Sequence, residues 1–136
     1  MNRLSVLVTC IVLLVSYGAA QAADAFKFEV FQDAKKEYRW RLKNDEGKVV
    51  ATPGQGYSSK KYCEESVEKF KTNVSSDKVK IEFYEDNKKQ TRWRMIASNG
   101  QNVASSPVGY ATKGECEKAF AVIKKEAKNA QVEVAP

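Results

Sequence analysis

Phe26, Phe28 and Val30 alternate with Lys27, Glu29 and Phe31, the period-two pattern of a half-buried strand. Tyr38, Trp40 and Leu42 alternate in the same way with Arg39, Arg41 and Lys43. The intervening "DAKKE" is short enough for a hairpin loop. "NDEG" then turns the chain, and "KVVAT" predicts a brief third strand ahead of the glycines of "PGQGY". Beyond Ser59 the period becomes helical. Cys63, Val67, Phe70 and Val74 fall at i, i+4, i+7 and i+11, which places them on one helix face, with Ser59 as N-cap.

The whole pattern recurs 53 positions later without a gap. Arg39-Trp40-Arg41 falls on Arg92-Trp93-Arg94, Gly47 on Gly100, Gly56-Tyr57 on Gly109-Tyr110, Lys60 on Lys113 and Cys63 on Cys116. "KVKIEFYED", "TRWRMIAS", the Asn99-Gly100 turn and "QNVASS" predict three further strands. Cys116, Phe120, Ile123 and Ala127 predict a second helix, opened by a Thr112–Glu115 capping box. "AQVEVA" adds a last strand. The predicted fold class is α+β: two tandem β-β-β-α repeats, about 26–78 and 79–136, forming an antiparallel sheet with both helices on one face. A single unit of this size is marginal as an independent core, so the two are expected to share one.

Residues 1–22 read as a signal peptide. An uncharged run from Leu4 to Ala20 ends in the small-residue site Ala20-Gln21-Ala22. Cleavage there leaves 114 of the 136 residues as one mature domain, 23–136, carrying 22 Lys and Arg against 17 Asp and Glu. A periplasmic or secreted location follows, with no transmembrane span once the signal is removed. The mild positive charge admits anionic lipid, glycan or nucleic acid as partners, although the lysines and acids are interspersed as on ordinary soluble proteins. Cys63 and Cys116 remain after cleavage, and an oxidising compartment would permit a disulfide if their Cα atoms came within about 7 Å. With no histidine in the chain, a metal site is not expected, nor is any cofactor.

Strand alternation points Trp40, Leu42, Trp93 and Met95 at the helices. It turns Arg39, Arg41, Arg92 and Arg94 to the uncovered face, beside Phe31, Tyr84, Glu29 and Glu82. Basic and aromatic residues on an open sheet suit single-stranded nucleic acid. The same residues suit burial against another subunit, or simple cross-strand Arg–Glu pairing. Tyr57, Lys60, Tyr110 and Lys113 form a second candidate site, where a glycine loop enters each helix and free N–H groups could hold an anion. The competing role for these loops is capping by Ser59 and Thr112. No catalytic residues are predicted: there is no histidine base, and both cysteines lie on apolar helix faces.

Together "FEVFQD", "YRWRLKNDEGKVVAT" and "GYSSK", echoed by "IEFYED", "TRWRMIASNGQNVAS" and "GYATK", resemble the YegP-like family of small prokaryotic proteins. The resemblance spans the mature chain and implies tandem β-β-β-α units without an established enzyme activity. It supplies no functional residues. The sequence departs from the common form in its export signal, in Pro53 and Pro107, and in the Cys63 and Cys116 pair. The expectation is an exported, non-enzymatic envelope protein that binds a protein or forms a homodimer through the open sheet face. The alternatives are a polyanion binder using the arginine face, and a periplasmic inhibitor or immunity-type protein.

Overall fold

The computed structural model describes residues 25–76 and 78–135, so the expected signal peptide lies outside the described residues. Strands β1 (Lys27–Gln32), β2 (Tyr38–Lys43) and β3 (Val49–Pro53) are followed by helix α1 (Lys60–Asn73). Strands β4 (Lys80–Glu85), β5 (Thr91–Ile96) and β6 (Asn102–Ser105) are followed by α2 (Lys113–Glu126), a 3-10 turn (Ala127–Asn129) and β7 (Gln131–Val134).

The loops between the paired strands are built by side-chain acceptors. Asp33 Oδ1 accepts the N–H groups of Lys35 and Glu37, and Asp86 Oδ1 accepts those of Lys88 and Gln90. These bonds stabilise the left-handed residues Lys36 (φ 66°) and Lys89 (φ 63°). The following turns use the left-handed Gly47 and Gly100, with Asn44 and Asn99 accepting from the backbone. Both helices take the expected N-caps: Ser59 accepts from the Tyr62 N–H, and Thr112 from the Glu115 N–H, each at 3.1 Å. The return bond from the Thr112 N–H to the Glu115 carboxylate, which would complete a capping box, is not seen among the described residues.

All seven strands form one sheet in the order β4-β5-β6-β3-β2-β1-β7. The repeats join along β3 and β6, where Thr52 pairs with Ser105 and Pro53 with Ala104. A register shift falls at the same place in each repeat, at Leu42/Lys43 and at Met95/Ile96. The expected all-antiparallel sheet requires one correction. The 3-10 turn after α2 returns the chain beside β1, and β7 pairs with it in parallel, Phe28 opposite Val132 and Val30 opposite Val134.

Both helices cover the same face, and one continuous core runs beneath them. Trp40, Leu42, Trp93 and Met95 are fully buried there, as strand alternation predicts. In the first repeat, Phe28, Trp40 and Phe70 pack as a triad with centroids 5.0 to 5.8 Å apart. In the second, Phe120 takes the central place between Trp93 at 5.1 Å and Phe83 at 6.1 Å. The aromatic contributed by the helix has moved along it by three residues, nearly one turn: Ile123 follows Phe70 by 53 positions, and Phe120 follows Val67. Burying each such ring stabilises the fold by about 2–3 kcal/mol.

Candidate binding surfaces

On the uncovered face, β1/β2 and β4/β5 carry two copies of one arrangement. Glu29 lies opposite Arg41 and Glu82 opposite Arg94 in the strand register. Arg41 Nε donates to Glu29 Oε1 at 2.8 Å, and its guanidinium lies over the Phe31 ring, 4.3 Å from the centroid. Arg94 Nε donates to Glu82 Oε2 at 2.7 Å and lies 4.4 Å from the Tyr84 centroid. Each guanidinium is held by a carboxylate and a ring at once.

The outer arginine of each motif is tied to the hairpin loop instead. Arg39 Nε donates to Asp33 Oδ2 at 2.8 Å, and Arg92 Nε to Asp86 Oδ2 at 2.7 Å. Arg92 also donates to the Pro107 carbonyl at 2.9 Å. Each aspartate therefore folds its loop with one oxygen and holds an arginine with the other. All four carboxylates titrate below their ordinary values, primarily because of hydrogen bonds from Arg41 to Glu29, Arg39 to Asp33, Arg94 to Glu82 and Arg92 to Asp86. Asp33 and Asp86 are absent from the candidates drawn from the sequence. The Asp-x-Lys-Lys spacing shared by both hairpins is the signal that could have found them.

The second candidate group separates. Tyr57 and Tyr110 each line a cleft between the helix of one repeat and the turn after the second strand of the other. The Tyr57 cleft, about 850 Å³, is walled by Ser66, Lys69 and Phe70 of α1 and by Gln101 and Val103. The Tyr110 cleft, about 500 Å³, is walled by Ala119, Val122 and Ile123 of α2 and by Lys48 and Val50. These named wall residues correspond under the 53-residue shift, so the two clefts are related by the internal repeat. Their chemistry differs, because Lys69 and Ser66 give way to Val122 and Ala119. Burial raises the Tyr110 phenol above its usual pKa. Lys60 and Lys113 lie outside these linings; Lys60 faces solvent and pairs with Glu64 at 3.8 Å.

Cys63 and Cys116 are free and fully buried in the first turns of their own helices. The two thiols are unbridged in this structure, each packed into the core beneath its own helix. Burial pushes both thiols up to about 11. Among the described residues, no group of three His, Cys, Asp or Glu side chains gathers in a way that could hold a metal ion, and no helix is long and apolar enough to cross a membrane.

The model of a domain of unknown function, DUF1508, matches this chain twice, over residues 33–80 and 86–133. A UPF0339 protein of Neisseria meningitidis serogroup B is 43% identical over 53 residues, 39% of this chain and 93% of that protein. Its length thus corresponds to a single repeat. The UPF0339 protein from the 5′ region of the ptx operon of Stutzerimonas stutzeri is 30% identical over 105 residues, 77% of this chain and 92% of its own. Among solved structures, the UPF0339 protein SO3888 of Shewanella oneidensis superposes with a TM-score of 0.70 at 15% identity, covering 81% of this chain and 91% of that one. The protein of unknown function yegP from E. coli gives 0.69 at 23% identity, covering 81% and 92%. Those two likenesses establish the fold. The paired family matches, together with the two-repeat relative from Stutzerimonas, show that the chain belongs to the DUF1508 family, the YegP-like UPF0339 proteins of unknown function.

Proposed function

We propose that the chain is an exported, non-enzymatic binding module that docks a partner protein on the uncovered face of its sheet. The observation that carries this reading is the duplicated stack of Phe31, Arg41 and Glu29 beside that of Tyr84, Arg94 and Glu82. Clamping each guanidinium between a ring and a carboxylate leaves little rotamer freedom to lose on docking. Arginine and aromatic side chains are also the types enriched at protein interfaces. The same clamping disfavours a polyanion, because phosphates would have to compete with carboxylates already in place. The protonated, buried thiols and the absence of histidine support a non-enzymatic role. The apolar leader ending at Ala22 supports export.

A photo-cross-linking residue placed at Phe31 or Tyr84 in living cells tests the face directly. An adduct of one defined mass is expected at both positions and not at Lys118, on the exposed side of α2. An adduct of twice the chain's mass would identify the partner as a second copy. Cross-linking no stronger at the face than at Lys118 would sink the reading. N-terminal sequencing of the chain from the envelope fraction tests export separately, with Ala23 expected as the first residue.

A further inference from the structure

The two ends of the sheet are not equivalent. The outer edge of β1 is covered by β7, whereas among the described residues no strand lies on the outer edge of β4. The consequence appears in the core. Phe28 and Val30 of β1 are fully buried, while Ile81 and Phe83, their counterparts in β4, are only partly buried against the same cluster.

The backbone shows the same asymmetry. The Asp33 N–H turns toward β2, where it meets the Glu37 carbonyl, and the Val30 carbonyl turns the other way to accept the Ala135 N–H at 2.8 Å. Successive residues of a strand present their peptide groups to opposite sides. The Asp86 N–H likewise meets the Gln90 carbonyl on the β5 side. By the same alternation, Ile81, Phe83 and Glu85 present their N–H and C=O groups to the open edge. The edge carries charge at Lys80, Glu82 and Glu85, but β4 contains no proline, and its six-residue register with β5 is unbroken by a bulge.

The structure assigns this edge as a docking site for an extended segment of a partner protein, added parallel to β4, in which apolar residues alternate with acidic ones. The template is the molecule's own β7. There Val132 and Val134 lie beside Phe28 and Val30, and Glu133 reaches Lys27 at 3.4 Å. Lys80 is the counterpart of Lys27. Its side chain is 73% exposed, against 40% for Lys27; it pairs with Glu82 of its own strand at 3.3 Å, and an incoming carboxylate would share that ammonium across the edge. The incoming apolar residues would cover Ile81 and Phe83, and its backbone would complete their hydrogen bonds. The inference shares the protein-binding reading above but uses the edge of the sheet and not its face, so either can fail alone.

Amide hydrogen exchange of the mature chain, with the synthetic peptide Ala-Gln-Val-Glu-Val-Ala as probe, tests the site. Without peptide, the Ile81 and Phe83 amides are expected to exchange much faster than those of Phe28 and Val30. Millimolar peptide should slow Ile81 and Phe83 and leave β1 unchanged, because the tethered β7 outcompetes a free copy of itself. Lys80→Glu should weaken this peptide about fivefold and favour Ala-Gln-Val-Lys-Val-Ala in its place. No slowing at Ile81 and Phe83, or slowing indifferent to both charge changes, would overturn the proposal. So would protection of these amides that grows with protein concentration and a doubled mass, which would mark β4 as a self-association edge.

Discussion

The indole N–H of Trp40 donates to the Ser66 hydroxyl at 3.0 Å, and Tyr57 shares that hydroxyl at 2.8 Å. Fifty-three residues on, Ala119 stands where Ser66 would be, and the buried indole N–H of Trp93 has no partner among the described residues. A buried donor left unpaired costs about 1–3 kcal/mol. Ala119 borders the Tyr110 cleft, so a hydroxyl has room there. Ala119→Ser is expected to stabilise the fold by about 1 kcal/mol, and Ser66→Ala to destabilise it by about 1–2 kcal/mol. Urea unfolding of both variants checks the pair, and destabilisation by Ala119→Ser would show that the Trp93 ring is not aimed at that position.

The joint between the repeats rests on very few pairs of residues. Gly54 follows β3 at this seam, and a Cβ on it would overlap the Asn102 backbone carbonyl. Neither backbone can withdraw without loosening β3 from β6. Gly54→Ala is expected to cost about 2–4 kcal/mol, in the range of other overpacked core positions. A Cβ on Gly56 would instead meet the Glu37 Cβ at 2.9 Å and the rest of that side chain, a milder overlap of which only the carboxylate end can swing away. Gly56→Ala should therefore cost less than Gly54→Ala, and equal urea midpoints for the two would contradict the seam's importance.

Much of this architecture is legible in the sequence, for physical reasons that can be located. Strict alternation around Trp40 and Trp93 defines the buried face of the sheet, because every second side chain must face the helices. The 53-residue shift supplies the pairing of the halves. The parallel placement of β7 is not encoded locally: "QVEV" is a strand by pattern, but only the tertiary path of the 3-10 turn brings it to β1. At the candidate surfaces, alternation correctly turns the four arginines outward. It is silent on Asp33 and Asp86, which reach the arginines only after their loops have closed. The clefts were still less accessible, since each combines one repeat's helix with the other repeat's turn.

Both thiols should be inert in the folded protein. With values near 11, only about one in a thousand is ionised at pH 8, and neither is exposed. Native protein is expected to resist alkylation at pH 8. In denaturant without reductant, both cysteines should be modified, adding two alkyl groups to the intact mass. A mass unchanged by alkylation under those conditions would reveal a Cys63–Cys116 bridge.

The carboxylates on the open face make stability depend on acid. Glu29, Asp33, Glu82 and Asp86 have folded pKa values below their ordinary ones, so their pairs contribute fully above the unfolded values of 3.8 to 4.5. That contribution is lost as pH falls through the depressed folded values. The urea midpoint should be level from neutral pH down to about 5 and decline below it. A variant carrying Arg39→Ser, Arg41→Ser, Arg92→Ser and Arg94→Ser should decline less steeply in acid, because the carboxylates lose the donors that depress them. An identical acid profile would mean that the arginine pairs do not set these values.

The same four-serine variant separates docking of a protein from binding of a polyanion. If phosphates or sulfates were the natural ligands, each arginine would release counterions on binding, and removing four would lower the salt slope by about 3–4. The geometry argues the other way, since every one of the four guanidiniums already donates to a carboxylate. Replacing them removes four positive charges but leaves Glu29, Asp33, Glu82 and Asp86, so a modest loss from net charge alone is expected. Binding to heparin and to single-stranded DNA should therefore be weak in the parent chain and fall by no more than about threefold in the variant at 0.15 M salt, where charges beyond about 8 Å are screened. A collapse of affinity together with the full drop in salt slope would reassign the face to polyanions. The photo-cross-linked adduct at Phe31 or Tyr84 would then be expected to contain nucleic acid or glycan in place of protein.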